Sequence, residues 1–175
     1  MTNKFIDTYN DYILSKKNFF VNEKGFNANK FNLIVKKKNT REFDFKLFDI
    51  VENHILDEGS AFSDLLFFED LQQNSENSKW VAFAEYYGRD WYYTLDLESK
   101  KVFLIDVNTN FLQFSCATSE DNFLNAMQEV LKLESIRFNS PELINEDILN
   151  DFYTNCIKLS GLSGDNIFYK IILGV

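Results

Sequence analysis

Between Trp80 and Asp106 the chain reads WVAFAEYYGRDWYYTLDLESKKVFLID, and its apolar and polar positions alternate with a period of two. The pattern predicts three consecutive antiparallel strands. In the first run Trp80, Ala82, Ala84 and Tyr86 fall on one side, and Val81, Phe83 and Glu85 on the other. Tyr87-Gly88-Arg89-Asp90 supplies the first reversal, because Gly88 takes a positive φ at no steric cost. In the second run Trp91, Tyr93, Leu95 and Leu97 form the expected core side, opposite Tyr92, Thr94 and Asp96. Glu98 to Lys101 closes a second hairpin, and Val102, Leu104 and Asp106 then alternate with Phe103, Ile105 and Val107. After the turn residues Asn108-Thr109-Asn110, Phe111 to Phe114 reads as a fourth strand.

Helical periodicity flanks this meander. Phe5, Tyr9, Tyr12 and Ile13 recur on one side of a helix over residues 3–16, which Lys16-Lys17-Asn18 is expected to end. Asn22 to Lys30 has loop composition, and Phe31 to Lys37 alternates as a strand. Thr40 is placed as the cap of a second helix with Leu47, Ile50, Val51, His54 and Ile55 as its stripe and Gly59 beyond its end. Ala61 to Leu71 is apolar on every side and fits either a buried strand or a short helix. Gln72 to Lys79 is polar and reads as a surface loop. Ser119 opens a third helix with Glu120 and Asp121 in its first turn and Phe123, Met127, Val130 and Leu131 facing inward. Pro141 breaks that run, and Glu146 to Leu159 forms a last helix that Gly161 and Gly164 stop. The β-prone run Ile167 to Leu173 is expected at a sheet edge or as a packed tail.

These elements make an α+β domain over residues 1–175: a twisted antiparallel sheet, with its meander at about residues 80–114, and helices packed mainly on one face. Nineteen Phe and eight Tyr supply a core of large flat side chains, each burying roughly 150–250 Å². A formal charge of −9 disfavours nucleic acid as a partner, since a phosphate backbone needs a positive footprint; a basic partner fits instead. The N-terminus lacks the apolar segment of an export signal, and no apolar run approaches the roughly eighteen residues of a membrane span. A cytoplasmic location is expected.

Candidate chemistry is sparse. Cys116 and Cys156 have no CxxC neighbour, so neither a disulfide framework nor a zinc site is indicated. Cys116 lies at a strand-to-helix junction, where a nucleophile is conceivable, yet it lacks a partner; a small buried residue is the favoured reading. The lone His54 has helical spacing with Val51 and Ile55 and is assigned to structure. Asp96 and Asp106 are either a converging carboxylate pair or turn-flanking charges. No P-loop, GxGxxG, HExxH or GxSxG string occurs, so no enzyme, cofactor or metal is expected. Glu69, Asp70, Glu85 and Asp90 cluster about the start of the meander and its first turn, where they suit a cationic partner. Tyr87 and Tyr92 lie on the less apolar side as interface candidates, while Trp91 is assigned to the core.

The order Trp91-Tyr92-Tyr93-Thr94-Leu95-Asp96-Leu97, polar turn, Val102 to Asp106, then Ser119 opening a helix with Phe123-Leu124, resembles the SMI1/KNR4 (SUKH) superfamily. The resemblance covers about the central third of the chain and carries no catalytic signature. It implies an immunity protein that neutralises a cognate bacterial polymorphic toxin, of nuclease or deaminase type, by direct binding. An intracellular adaptor or regulatory interaction module of the same fold is the alternative.

Overall fold

Alternation in the middle of the chain builds a five-stranded antiparallel sheet in the computed structural model, which describes residues 2–27, 36–37, 42–55, 62 and 64–175. The N-terminal helix α1 (Thr2–Asn18) comes first and a pair of two-residue strands follows, β1 (Lys36–Lys37) with β2 (His54–Ile55). Between them lies α2 (Lys46–Asn53). The main sheet runs in chain order: β3 (Leu65–Gln73), β4 (Trp80–Tyr86), β5 (Trp91–Asp96), β6 (Val102–Asp106) and β7 (Leu112–Ala117). Helices α3 (Glu120–Asn139), α4 (Glu146–Ser160) and α5 (Ile167–Leu173) complete the chain.

The helices cover one sheet face. Phe5 of α1 meets the Phe67 ring, Phe123 of α3 sits 5.5 Å from Phe83 and 5.9 Å from Tyr93, and Phe168 of α5 packs edge-on to Tyr93. Helix α4 lies on α3, where the Cys156 thiol reaches the Ala126 carbonyl. This layer holds the apolar core, including Leu47, Ile50, Leu65, Leu95, Val102, Leu104, Met127 and Leu131. Large flat rings meeting edge-on account for much of its interior, as the Phe and Tyr content requires. The opposite, open face carries Trp80, Ala82, Glu85, Tyr92, Thr94, Phe103 and Ile105, aligned by the strand register.

Several elements differ from their sequence expectation. Around Phe83 the β4 register shifts, which breaks the expected alternation. Phe83 and Ala84 both join the core, Glu85 turns to the open face opposite Tyr92, and Tyr86 returns to the core. An inserted residue moves every later side chain to the other face. Helix α1 does not stop at Lys16-Lys17-Asn18 but continues into a π-helical turn, Phe19–Glu23, with Phe19 and Phe20 packing on Phe138. His54 and Ile55 leave the predicted helical stripe and pair with Lys37 and Lys36 in a strand. Ala61 to Leu71 resolves toward a strand from Leu65 onward, and Gln72 and Gln73 belong to that strand and not to a loop. The fourth strand of the meander is displaced to Leu112–Ala117 and includes Cys116. Of the two alternatives for Ile167 to Leu173, it is a packed tail, and a helical one, not a strand at the sheet edge. Thr40, Gly59 and residues 31–35 lie outside the described residues.

Candidate functional site

The open face begins with a cleft. The β3–β4 turn folds back so that Asn74 Nδ2 donates to Asn110 Oδ1 of the β6–β7 turn at 2.9 Å. Asn74 Oδ1 at the same time accepts from the amides of Glu76 and Asn77, both at 2.9 Å, which holds the turn in shape. Between the two turns lies a cavity of about 160 Å³. Its floor is apolar, formed by Ala82, Ile105 and Val107, and the Tyr92 ring makes one wall. Gln72, Gln73, Ser75 and the two joined asparagines form a rim of amides and hydroxyl. Beside it, Phe68 packs edge-on against Tyr92 at 4.9 Å and Trp80 against Phe103 at 5.0 Å. Thr94 and Ile105 are consequently buried although they belong to the face that the helices leave uncovered.

The residues singled out in the sequence are distributed over this side of the molecule. Glu85 and Tyr92 are register partners on the open face, both half-buried. Glu69 and Asp70 are exposed on β3, in the stretch where its register with β4 shifts between Phe67 and Gln72. Tyr87 and Asp90 lie in the β4–β5 turn: the Tyr87 amide donates to the Asp64 carbonyl at 2.7 Å, and Asp90 accepts from Asn108 Nδ2 at 3.1 Å. Glu85 and Tyr92 are thus brought into contact range, while the other four surround them along the edge and the end of the hairpin. Sequence reasoning missed Gln72, Gln73, Asn74 and Asn110, which looked like ordinary loop chemistry. An Asn in each of two turns is visible in the sequence, but that the turns meet is not.

Charge is distributed unevenly here. The five strands of the sheet contain Glu69, Asp70, Glu85, Asp96 and Asp106 and no Lys, Arg or His. Arg89, the cation of the β4–β5 turn, bends toward the helix side, where its guanidinium lies 5.3 Å from the Trp91 ring centre. At the far end Lys79 is paired with Glu98 at 2.6 Å.

Other candidate groups do not form a reaction centre. Asp96 and Asp106 do not converge: each closes its own turn at opposite ends of β6. Asp96 accepts from the amides of Glu98 and Ser99 and from the Ser99 hydroxyl, and Asp106 from the amides of Asn108 and Thr109. Burial pushes the Asp96 carboxyl up, but those donors more than offset it and hold it below the usual range. Cys116 is fully buried, and burial pushes its thiol well up, the wrong direction for a nucleophile. Among the described residues no group of His, Cys, Asp and Glu is placed to hold a metal ion, and no helix is long and apolar enough to cross a membrane.

Fold and site together define an α+β protein with helices on one sheet face and, on the other, an aromatic surface that carries Glu85 and no cation of the strands. No family model, curated protein or solved structure matches this chain.

Proposed function

We propose that this protein is a non-enzymatic binding protein that docks the open face of its sheet on a basic protein. In this reading it is an immunity protein that neutralises a cognate bacterial polymorphic toxin of nuclease or deaminase type. The observation that supports the docking surface is charge: the strands hold five carboxylates and no cation, and of these Glu85 lies on the open face beside Tyr92, Phe68 and Trp80, while Asp106 lies opposite Trp91 on the helix side and Asp96 is committed to its turn. Aromatic anchors with complementary charge around them are what a tight, fast-associating interface requires. Enzymes that act on nucleic acid present basic surfaces, so an acidic face is suited to cover one. The toxin assignment itself comes from the resemblance of residues 91–124 to SMI1/KNR4 proteins.

Both sheet edges are occupied in part by other side chains, which favours the face over strand addition. On β3 the Leu71 amide donates to Glu52 Oε1 at 3.2 Å, and on β7 Asn166 Nδ2 and the Tyr169 hydroxyl occupy the Ser115 and Cys116 carbonyls. The test is co-expression with the product of the toxin gene that this reading places directly upstream of its own. Cells survive with the natural protein and die with the Glu69→Lys/Asp70→Lys/Glu85→Lys variant. Death in the presence of the natural, folded protein rejects the immunity reading; capture of a basic intracellular partner without protection points to the adaptor instead.

A further inference from the structure

We infer that the cleft between the β3–β4 and β6–β7 turns is a receptor for one arginine side chain of the basic partner. The inference rests on the docking reading and adds the partner's anchor chemistry to it. An arginine is a long apolar stem ending in a flat group with five N–H donors and no acceptor. The cleft has the same division. Ala82, Ile105 and Val107 provide an apolar floor for the stem, and about 160 Å³ is room for a single side chain. At the rim, Gln72, the register partner of Ala82, makes no side-chain hydrogen bond to another described residue. Its amide oxygen remains as an acceptor. The Tyr92 ring stands as a wall against which a guanidinium stacks.

Shape and hydrogen bonding alone would also admit a neutral amide. The surroundings select a cation, because Glu85 is the register partner of Tyr92, Glu76 lies in the turn that closes the cleft, and no strand of the sheet carries a positive residue. A lysine is less suited, since its ammonium is a strongly hydrated point charge that neither stacks nor presents a fork. A second copy of this chain is disfavoured on the same ground: with a net charge of −9, two such faces repel.

The cleft is also pre-organised. Asn74 is fully engaged by Asn110 and the amides of Glu76 and Asn77, so the rim does not need to be ordered by the ligand.

The experiment compares fluorescein-labelled octa-arginine and octa-lysine peptides, binding to the full chain by anisotropy at one fixed salt concentration. The arginine peptide is expected to bind about tenfold more tightly. That preference disappears in Tyr92→Ala and in Gln72→Trp, the second filling the cleft from an exposed position, while binding of the lysine peptide is unchanged. Circular dichroism of both variants separates a lost pocket from a lost fold, and a folded Gln72→Trp protein suffices for the test. Equal affinity for the two peptides, or a preference that survives Gln72→Trp, overturns the arginine receptor and leaves the acidic docking face standing. If neither peptide binds, or if Glu69→Lys/Asp70→Lys/Glu85→Lys binds as well as the natural chain, the docking reading fails with it.

Discussion

Gly161 shows how one residue closes the helical layer onto the sheet. It ends α4 at φ +71°, and a Cβ there would lie 2.3 Å from Thr118 Oγ1 and 2.6 Å from Asn122 Nδ2. Those two side chains are already committed: Thr118 donates to the Ser160 carbonyl, and Asn122 donates to Thr118 Oγ1. Gly161→Ala therefore adds a clash to the left-handed strain and is expected to cost clearly more than about 1 kcal/mol in urea denaturation. Gly164→Ala, at φ +77° with open space around it, carries the strain alone and costs about 1 kcal/mol. Both glycines are readable in the sequence as helix stops; only the fold shows that one of them is also a contact. Tyr93 offers the opposite case. Its ring is a core centrepiece against Phe83, Phe123 and Phe168, yet its hydroxyl is buried without a hydrogen-bond partner among the described residues. Tyr93→Phe removes an unsatisfied group and keeps the packing, so it is expected to raise stability by about 1 kcal/mol.

Helix α5 is the element where local preference and outcome part most clearly. Ile167-Phe168-Tyr169-Lys170-Ile171-Ile172-Leu173 is β-prone by residue type, and the sequence reading expects it at a sheet edge or as a packed tail. It is helical because Phe168, Tyr169, Ile172 and Leu173 are buried together, at helical spacing, while Ile167 and Ile171 face out. The ends are also specified: Asn166 accepts from the Tyr169 amide at 3.2 Å, and Gly174 takes φ +72°. The same Asn166 donates to the Ser115 carbonyl and so joins the helix start to the β7 edge. Asn166→Ala is expected to lower stability by about 1 kcal/mol and to speed hydrogen exchange in both α5 and β7. Faster exchange confined to α5 would separate the cap from the edge. In α3, by contrast, the Ser119 cap, the acidic first turn and the buried Phe123, Met127, Val130 and Leu131 all agree with the sequence. There propensity, capping and burial point the same way, so nothing had to be overridden.

For the whole molecule, the buried phenols and thiols determine how stability responds to alkali. Burial pushes the Cys156 thiol up to about 12 and Cys116 well above its ordinary 9.0; it raises Tyr12, Tyr93 and Tyr169, and Tyr86 up to about 12 from 10.0. Hydrogen bonding to Asp64 adds to the Tyr86 shift. All of these groups hold their protons more tightly when folded than when unfolded, so the unfolded chain binds fewer protons and stability falls as pH rises. The contribution is complete below pH 9 and is lost progressively from about pH 9 toward pH 12. Denaturant midpoints measured across that interval should drop steadily, with the tyrosinate absorbance of the buried phenols appearing at unfolding, after that of exposed Tyr87. A stability that stays level to pH 12 would contradict a core closed to water at these residues.

What the chain determines by itself is local. Period-two alternation with Gly88 and polar turns specifies a meander, Ser119 caps its helix, and an excess of carboxylates over cations is a property of composition. The tertiary structure decided whatever depends on residues distant in sequence. The β4 shift at Phe83 put Glu85 beside Tyr92, burial turned Ile167–Leu173 into a helix, and Asn74 found Asn110 to close a cleft. Alternation and capping act over one to four residues, so they are written in neighbouring letters. Sidedness after a bulge, the state of a short apolar run and the meeting of two turns are settled only when the sheet and its helices have buried a common core.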